Sequence, residues 1–183
     1  MVKEHDFIAI GGGSGGFNAA KVARQYSGNV AIVDGATELG GLCILRGCMP
    51  SKTLIYSAEV LHLAQKGSEF GLDIPEARVS MEKLHQRKLD TIKEFADYRV
   101  EYMKSGKYHL YRNFAKFISE DTVELANGDL LRGKYFIIAT GSYVSTPPIP
   151  GIDDSDIWTS DDLLALATLR ESVIVLGGGV VAG

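Results

Sequence analysis

The apolar run Phe7-Ile8-Ala9-Ile10 passes without a break into Gly11-Gly12-Gly13-Ser14-Gly15-Gly16, and few folds accommodate that junction. A short, wholly apolar run is the signature of a strand buried on both faces of a parallel sheet. The glycines satisfy G-x-G-x-x-G at Gly11, Gly13 and Gly16. In that spacing the first glycine permits a tight strand-to-helix turn. The second lets the backbone approach a pyrophosphate, and the third lets helix and strand pack closely. A small-residue segment through Ala19, Ala20, Val22 and Ala23 reads as the following helix, whose first amides and dipole would face the phosphates. Val30–Val33 reads as the second strand, ending at Asp34, where a carboxylate can hold a ribose hydroxyl. Alone the glycine pattern is weak. Placed strand, turn, helix, strand, acid, it predicts an α/β, Rossmann-like dinucleotide domain.

The second informative stretch is Gly40-Gly41-Leu42-Cys43-Ile44-Leu45-Arg46-Gly47-Cys48-Met49-Pro50-Ser51-Lys52, which holds both cysteines of the chain. Two close cysteines do not make a secreted disulfide scaffold. Nor do they make a closed zinc site, which takes four ligands; His5, His62, His85 and His109 are scattered and read as surface or packing residues. In a continuous α-helix, residues five apart have Cα atoms roughly 8–9 Å apart, whereas a disulfide needs less than about 7 Å. If the two bond, the segment is broken, and Gly47 and Pro50 supply the means. Pro50 suits a helix first turn. Cys48 then stands near a helix N-terminus, where the dipole and Lys52 favour a thiolate. The competing reading is two inert, packed thiols.

Further along, Ser51–Gln65 is helical in pattern, with Leu54, Ile55, Ala58, Leu61 and Ala64 on one face. Residues 81–103 predict one long helix whose stripe comprises Met81, Leu84, Leu89, Ile92, Phe95, Ala96, Val100 and Met103. Residues 108–118 read as extended. Val123-Glu124-Leu125 before Asn127-Gly128 signals a hairpin. Tyr135–Ile138 reads as a buried strand running into Ala139-Thr140-Gly141. Pro147, Pro148, Pro150 and Gly151 mark a stiff connector. Val173–Leu176 then reads as a buried strand entering Gly177-Gly178-Gly179-Val180-Val181-Ala182, a second turn of the form G-x-G-x-x-A.

The 183 residues are 45% apolar and 23% charged with net charge −4, a composition that suits a globular chain and argues against nucleic acid or an anionic membrane as main partner. No run reaches membrane-spanning length, and the charged start is no secretory signal. A cytoplasmic protein is expected.

The segment G-G-x-C-x-x-x-G-C-x-P-S-K, together with both glycine fingerprints and Ala139-Thr140-Gly141, resembles the class I pyridine nucleotide–disulfide oxidoreductases along the whole chain. The Pro-Ser-Lys ending is similar to the lipoamide and mercuric branch rather than to glutathione reductases. The resemblance implies that Gly11, Gly13, Ser14, Gly15 and Gly16 cradle the pyrophosphate of FAD and that Asp34 holds its ribose. Gly41, Leu42 and Lys52 would line the flavin and ribityl region, Ala115 would meet adenine through its backbone, and Thr140 and Gly141 would close over the cofactor. Cys48 would be the flavin-proximal thiol and Cys43 the one that exchanges with substrate. Gly177, Gly179 and Ala182 would belong to an NAD or NADP site. Two departures stand out: Leu42 replaces the family's usual threonine, and Asn113 a common glycine.

The implied organisation is an FAD-binding domain over 1–150 with a central parallel sheet, a small antiparallel β-meander and a helical excursion at 50–105. A connector over 151–171 follows, and 172–183 opens a second Rossmann-like domain that the chain does not complete. The expected activity is FAD-dependent, NAD(P)-linked disulfide oxidoreduction of the dihydrolipoyl dehydrogenase type, on a small-molecule or lipoyl disulfide. Mercuric or glutathione-type reduction is the alternative, and a non-catalytic FAD-binding fragment is an alternative of another class. A flavin monooxygenase also uses two dinucleotide turns but does not need the cysteines. The family's acid–base His–Glu pair and dimer interface lie in a domain this chain lacks, so by itself it would be catalytically incomplete.

Overall fold

A computed structural model describes residues 1–152 and 156–182. Residues 153–155, inside the expected connector, and residue 183, at the end of the expected second fingerprint segment, lie outside the described residues. The chain divides into two units, one formed by Met1–Leu45 and Lys93–Tyr143, the other by Arg46–Ile92 and Val144–Gly183.

The first unit is built on a six-stranded sheet in the order β3-β2-β1-β6-β5-β4. β1 (Val2–Ile10) lies between β2 (Val30–Val33) and β6 (Leu130–Ile138), parallel to both, and β3 (His109–Tyr111) adds parallel to β2. The expected parallel core is therefore present. β4 (Ala115–Phe117), β5 (Thr122–Leu125) and the start of β6 pair antiparallel. The Asn127-Gly128 turn joins the last two, with Gly128 at φ 86°, so the meander is present too.

β1 is longer than its apolar signal. Val2–His5 extends it because β6 continues the ladder there, from Val2 opposite Leu130 to His5 opposite Gly133. Ion pairs from Lys3 to Asp129 at 3.0 Å and from Asp6 to Lys134 at 2.7 Å flank that polar half.

Alternation along the strands sends side chains to two faces. Ala9, Val30 and Ile32 pack with Phe17, Ala20 and Ala23 of α1 (Ser14–Ala23) and with Leu39, Met103 and Tyr108. On the other face Ile8, Ile10, Ala31 and Val33 meet Val123, Leu125 and Leu131 of the meander. Each buried aliphatic side chain of this kind contributes about 1.5–3 kcal/mol. The reading of Tyr135–Ile138 as buried is corrected: Tyr135 is 62% and Ile138 70% exposed. β5 pairs with β6 only along Leu130–Arg132, whereas β1 follows β6 almost throughout. The later half of β6 is therefore laddered by β1 alone.

The second unit is helical. It holds α3 (Cys48–Gln65), a 3₁₀ turn (Gly67–Phe70), the first half of α4 (Met81–Met103, which runs on into the first unit) and α5 (Ser160–Ala165). α5 is started by a capping box in which Thr159 and Asp162 satisfy one another's backbone. The predicted apolar face of α3 is corrected: Ile55 and Ala58 are exposed, and the helix buries only Pro50 and Thr53.

On α4 the stripe fails at Leu89 and Phe95, both exposed, while Lys88 is 2% exposed. Lys88 donates to the Leu164 carbonyl and lies 3.1 Å from His85 Nδ1. Burial lowers its pKa. The predicted strand Val173–Leu176 is also corrected: it does not form, and all four side chains are exposed. A strand exists only through its ladder, and that run has no ladder partner among the described residues. Among the described residues no helix is long and apolar enough to cross a membrane.

Candidate active site

The glycine turn follows directly from β1. Gly11 has φ 101°, and its amide donates to the Val33 carbonyl at 2.8 Å. A Cβ on Gly11 would stand 2.1 Å from the Ala139 carbonyl oxygen, and one on Gly16 would stand 1.8 Å from the Gly11 carbonyl oxygen. Both positions are closed by the protein's own backbone. Gly13 is different. Its φ of −67° is open to any residue, and a Cβ there would meet nothing nearer than 3.6 Å. A methyl at Gly13 would thus rest in ordinary contact with the Gly41 Cα.

Gly13 caps α1 without a side-chain hydrogen bond. The amides of Ser14, Gly15 and Gly16 therefore begin the helix with no intrahelical acceptor. Helix amides without an intrahelical acceptor fit a pyrophosphate.

Asp34 ends β2, is buried, and uses both oxygens. Oδ2 accepts the Gly12 amide at 2.8 Å and Oδ1 the Ala36 amide at 2.9 Å. Arg112 approaches the same carboxylate at 3.9 Å and donates to the Asp34 and Thr37 carbonyls, both at 3.2 Å. The loop before β4 returns to this point. A Cβ on Gly35 would stand 2.7 Å from the Phe114 backbone nitrogen, one residue before Ala115, which opens β4 opposite Leu125. Thr140 and Gly141 follow β6 at the mouth of the turn. Ala139 donates its amide to the Ile10 carbonyl at 2.8 Å, and its Cβ lies against Gly15 and Gly16.

The Gly40-Gly41 pair reaches the same turn. Gly41 has φ 75°, and a Cβ on it would stand 2.4 Å from the Gly13 Cα. Its carbonyl accepts the amides of Ile44 and Leu45 at 3.2 and 3.1 Å, forming the single turn α2 (Leu42–Leu45) that carries half-buried Cys43. From α4, Arg99 Nη1 donates to the Gly40 carbonyl at 2.7 Å and to Ser14 Oγ at 3.2 Å. Its guanidinium lies 4.9 Å from the Phe17 ring centroid. Burial lowers the Arg99 pKa, and the charge of Cys43 acts in the opposite sense.

In the second unit Cys48 is the first residue of α3, capped by Gly47, and Pro50 is buried in its first turn. The two cysteines thus stand on separate helices, as the break expected at Gly47 requires. Lys52 is exposed one turn on.

The structure brings Gly11, Gly13, Ser14, Gly15, Gly16, Asp34, Gly41 and Thr140 around one turn, while Ala115 stands on β4. Gly177, with φ 116°, Gly179 and Ala182 are exposed and neither follow a strand nor open a helix. Sequence reading overlooked Arg99, Arg112 and Gly35. Arg99 left no signal: the apolar stripe of α4 passes it unbroken through Ala96, Val100 and Met103.

Residues 5–183 match the family described as Pyridine nucleotide-disulphide oxidoreductase. The chain is 35% identical to a dihydrolipoyl dehydrogenase of Bacillus subtilis over 193 residues, covering 99% of this chain and 40% of that protein. It is likewise 35% identical to a mercuric reductase of Bacillus cereus over 179 residues, covering 97% of this chain and 28% of that protein. Among solved structures, the HOCl-induced flavoprotein disulfide reductase RclA of Escherichia coli superposes with a TM-score of 0.70 at 24% identity, over 90% of this chain and 35% of that one. The chain thus spans less than half the length of each of these three proteins.

Proposed function

We propose a function from one premise: the chain belongs to the pyridine nucleotide-disulphide oxidoreductase family. The reading is that its glycine turn binds FAD, that Cys43 and Cys48 form a redox pair beside it, and that the whole protein links a disulfide couple to NAD or NADP. The observation that carries this reading is the contact of Gly41 with Gly13, which joins the cysteine-bearing segment to the dinucleotide turn.

Gly13, Ser14, Gly15 and Gly16 would hold the pyrophosphate, Asp34 and Ala115 the adenosine end, and Gly41, Leu42, Lys52, Thr140 and Gly141 the remainder. When bound, FAD supplies two-electron exchange between a nicotinamide and a dithiol. The protein's part is thiol exchange. A substrate dithiol attacks the Cys43–Cys48 disulfide at the Cys43 sulfur and releases Cys48 as a thiolate. A second attack by the substrate's other thiol frees Cys43 and leaves the substrate oxidised, so two electrons reach the protein. The start of α3, where the Gly47 cap offers no side-chain acceptor, would favour the Cys48 anion.

The substrate we favour is a lipoyl dithiol, from the dihydrolipoyl dehydrogenase relatives. The equal identity to a mercuric reductase carries a second reading, with Hg(II) as substrate. NAD(P) binding through Gly177, Gly179 and Ala182, a homodimer of the whole protein, a cytoplasmic location and the domain limits 1–150, 151–171 and 172–183 belong to the same proposal.

The test is anaerobic two-electron reduction of the chain loaded with FAD. A long-wavelength thiolate–flavin absorbance, lost in Cys48→Ala, is the expected result. Bound FAD that is reduced without that band would overturn the redox pair. Reduction by dihydrolipoamide separates the lipoyl reading from the mercuric one.

A further inference from the structure

We propose that Arg99 is a positioning residue that clamps the Cys43 segment onto the dinucleotide turn. The proposal rests on the reading of that turn as the FAD site and adds a residue to it. One atom, Nη1, donates both to the Ser14 hydroxyl on the turn and to the Gly40 carbonyl on the cysteine segment, at 3.2 and 2.7 Å. Between those two anchors the Gly13 and Gly41 backbones touch with no room for a side chain on Gly41.

Two glycine loops have little side-chain packing of their own and much backbone freedom to lose. A contact between them needs an outside brace. Arg99 is such a brace because its own helix is fixed: Met103, one turn on, is fully buried in the core beneath the turn, and Val100 packs against the same cluster. The guanidinium face is held over the Phe17 ring at 4.9 Å, so its direction is set before it donates. Its two hydrogen bonds both go to neutral oxygens.

The consequence reaches Cys43 through one link. The Gly41 carbonyl nucleates α2 by accepting from Ile44 and Leu45. Where Arg99 holds Gly40, it therefore holds the turn on which Cys43 rides. The positive charge beside Cys43 adds to this but is not needed for the clamp.

The experiment compares the chain with Arg99→Met, which keeps length and loses both donors, and with Arg99→Lys, whose ammonium can reach the same two oxygens. FAD affinity is read by flavin fluorescence, and hydrogen exchange is read at Ile44 and Leu45. Arg99→Met is expected to weaken FAD about tenfold and to speed exchange at those two amides about tenfold, with Ile8–Ile10 and Val30–Val33 unchanged. Arg99→Lys is expected to recover most of both effects, which a merely structural loss would not allow. Unchanged exchange at Ile44 and Leu45 in Arg99→Met, or unchanged FAD affinity in a chain that binds it, overturns the clamp. A parent chain that takes up no FAD overturns the FAD reading instead, and exchange in the unliganded chain then decides the clamp alone. Should Arg99→Met fail to fold, Ser14→Ala removes one end of the brace and is expected to speed exchange at Ile44 severalfold; no change there overturns the proposal.

Discussion

Asp34 Oδ2 accepts the amide of Gly12 at 2.8 Å while Oδ1 accepts that of Ala36 at 2.9 Å, so one buried carboxylate fixes the glycine turn and the end of its own strand together. Asp34→Asn puts an NH₂ group where one of those amides needs an acceptor. A buried donor left without an acceptor costs about 1–3 kcal/mol. The melting temperature is expected to fall by roughly 2–4 °C for each kcal/mol in a chain of this size. Calorimetry checks it, and a variant as stable as the parent would remove Asp34 from the account of the turn.

The glycines of the turn separate by mechanism. Gly16→Ala drives a Cβ to within 1.8 Å of the Gly11 carbonyl oxygen; strand and helix must part, at about 3 kcal/mol or more, the upper end of overpacking costs. Gly13→Ala meets nothing nearer than 3.6 Å, so its stability is expected to stay within about 0.5 kcal/mol of the parent. If a pyrophosphate lies against the Gly13 backbone, the same methyl weakens FAD binding at least tenfold. Urea titration and flavin binding on both variants read the two effects apart. Full FAD affinity in Gly13→Ala would point the cofactor elsewhere.

Much of this was legible because local chemistry and fold agree. Gly11, Gly13 and Gly16 carry their roles in their spacing, and Gly128 fixes its hairpin by supplying the positive φ of the turn. What stayed hidden depends on distant partners. Val2–His5 is polar and joins β1 only because β6 lies beside it. Val173–Leu176 has the pattern of a strand without a ladder to join. Lys88 displaces Leu89 from the buried side of α4 because the Leu164 carbonyl meets its ammonium, 76 residues away. Arg99 and Arg112 act through backbone carbonyls, which no side-chain pattern announces.

His5 is buried, and the arrangement around it suits the neutral ring. Asn29 gives its Nδ2 to the Glu4 carbonyl at 2.9 Å, turning Oδ1 toward His5 Nδ1 at 2.7 Å, and the Tyr111 hydroxyl meets Nε2 at 3.0 Å. Desolvation is the main cause that lowers its pKa below 6.5; the Asn29 bond opposes it less strongly. The unfolded chain takes up a proton near pH 6.5, before the folded one does. His5 therefore contributes its full stability above that pH and loses it as pH falls below. The urea midpoint is expected to drop between pH 7.5 and 5.5, and His5→Gln is expected to flatten that drop. An equal drop in the variant would assign the slope to other groups.

Tyr108 makes the opposite kind of prediction, a stabilising deletion. Its ring is buried in the core with Ala9, Ile32 and Met103, and its hydroxyl makes no hydrogen bond of good geometry among the described residues, although the Tyr102 side chain acts on it. Burial, followed by the charge of Tyr102, pushes the phenol up to about 12, so it is neutral at any working pH and serves no titration. A buried hydroxyl without a well-formed hydrogen bond costs about 1–3 kcal/mol. Tyr108→Phe keeps the ring and removes that cost, and a gain of about 1 kcal/mol in unfolding free energy is expected. Tyr111→Phe is the matched contrast: it removes the hydroxyl that meets His5 at 3.0 Å and is expected to lose about 1 kcal/mol. Denaturant titrations of the two variants decide it. If Tyr108→Phe is the less stable of the pair, the Tyr108 hydroxyl has a partner in solution, and the core beneath the glycine turn is wetter than its packing implies.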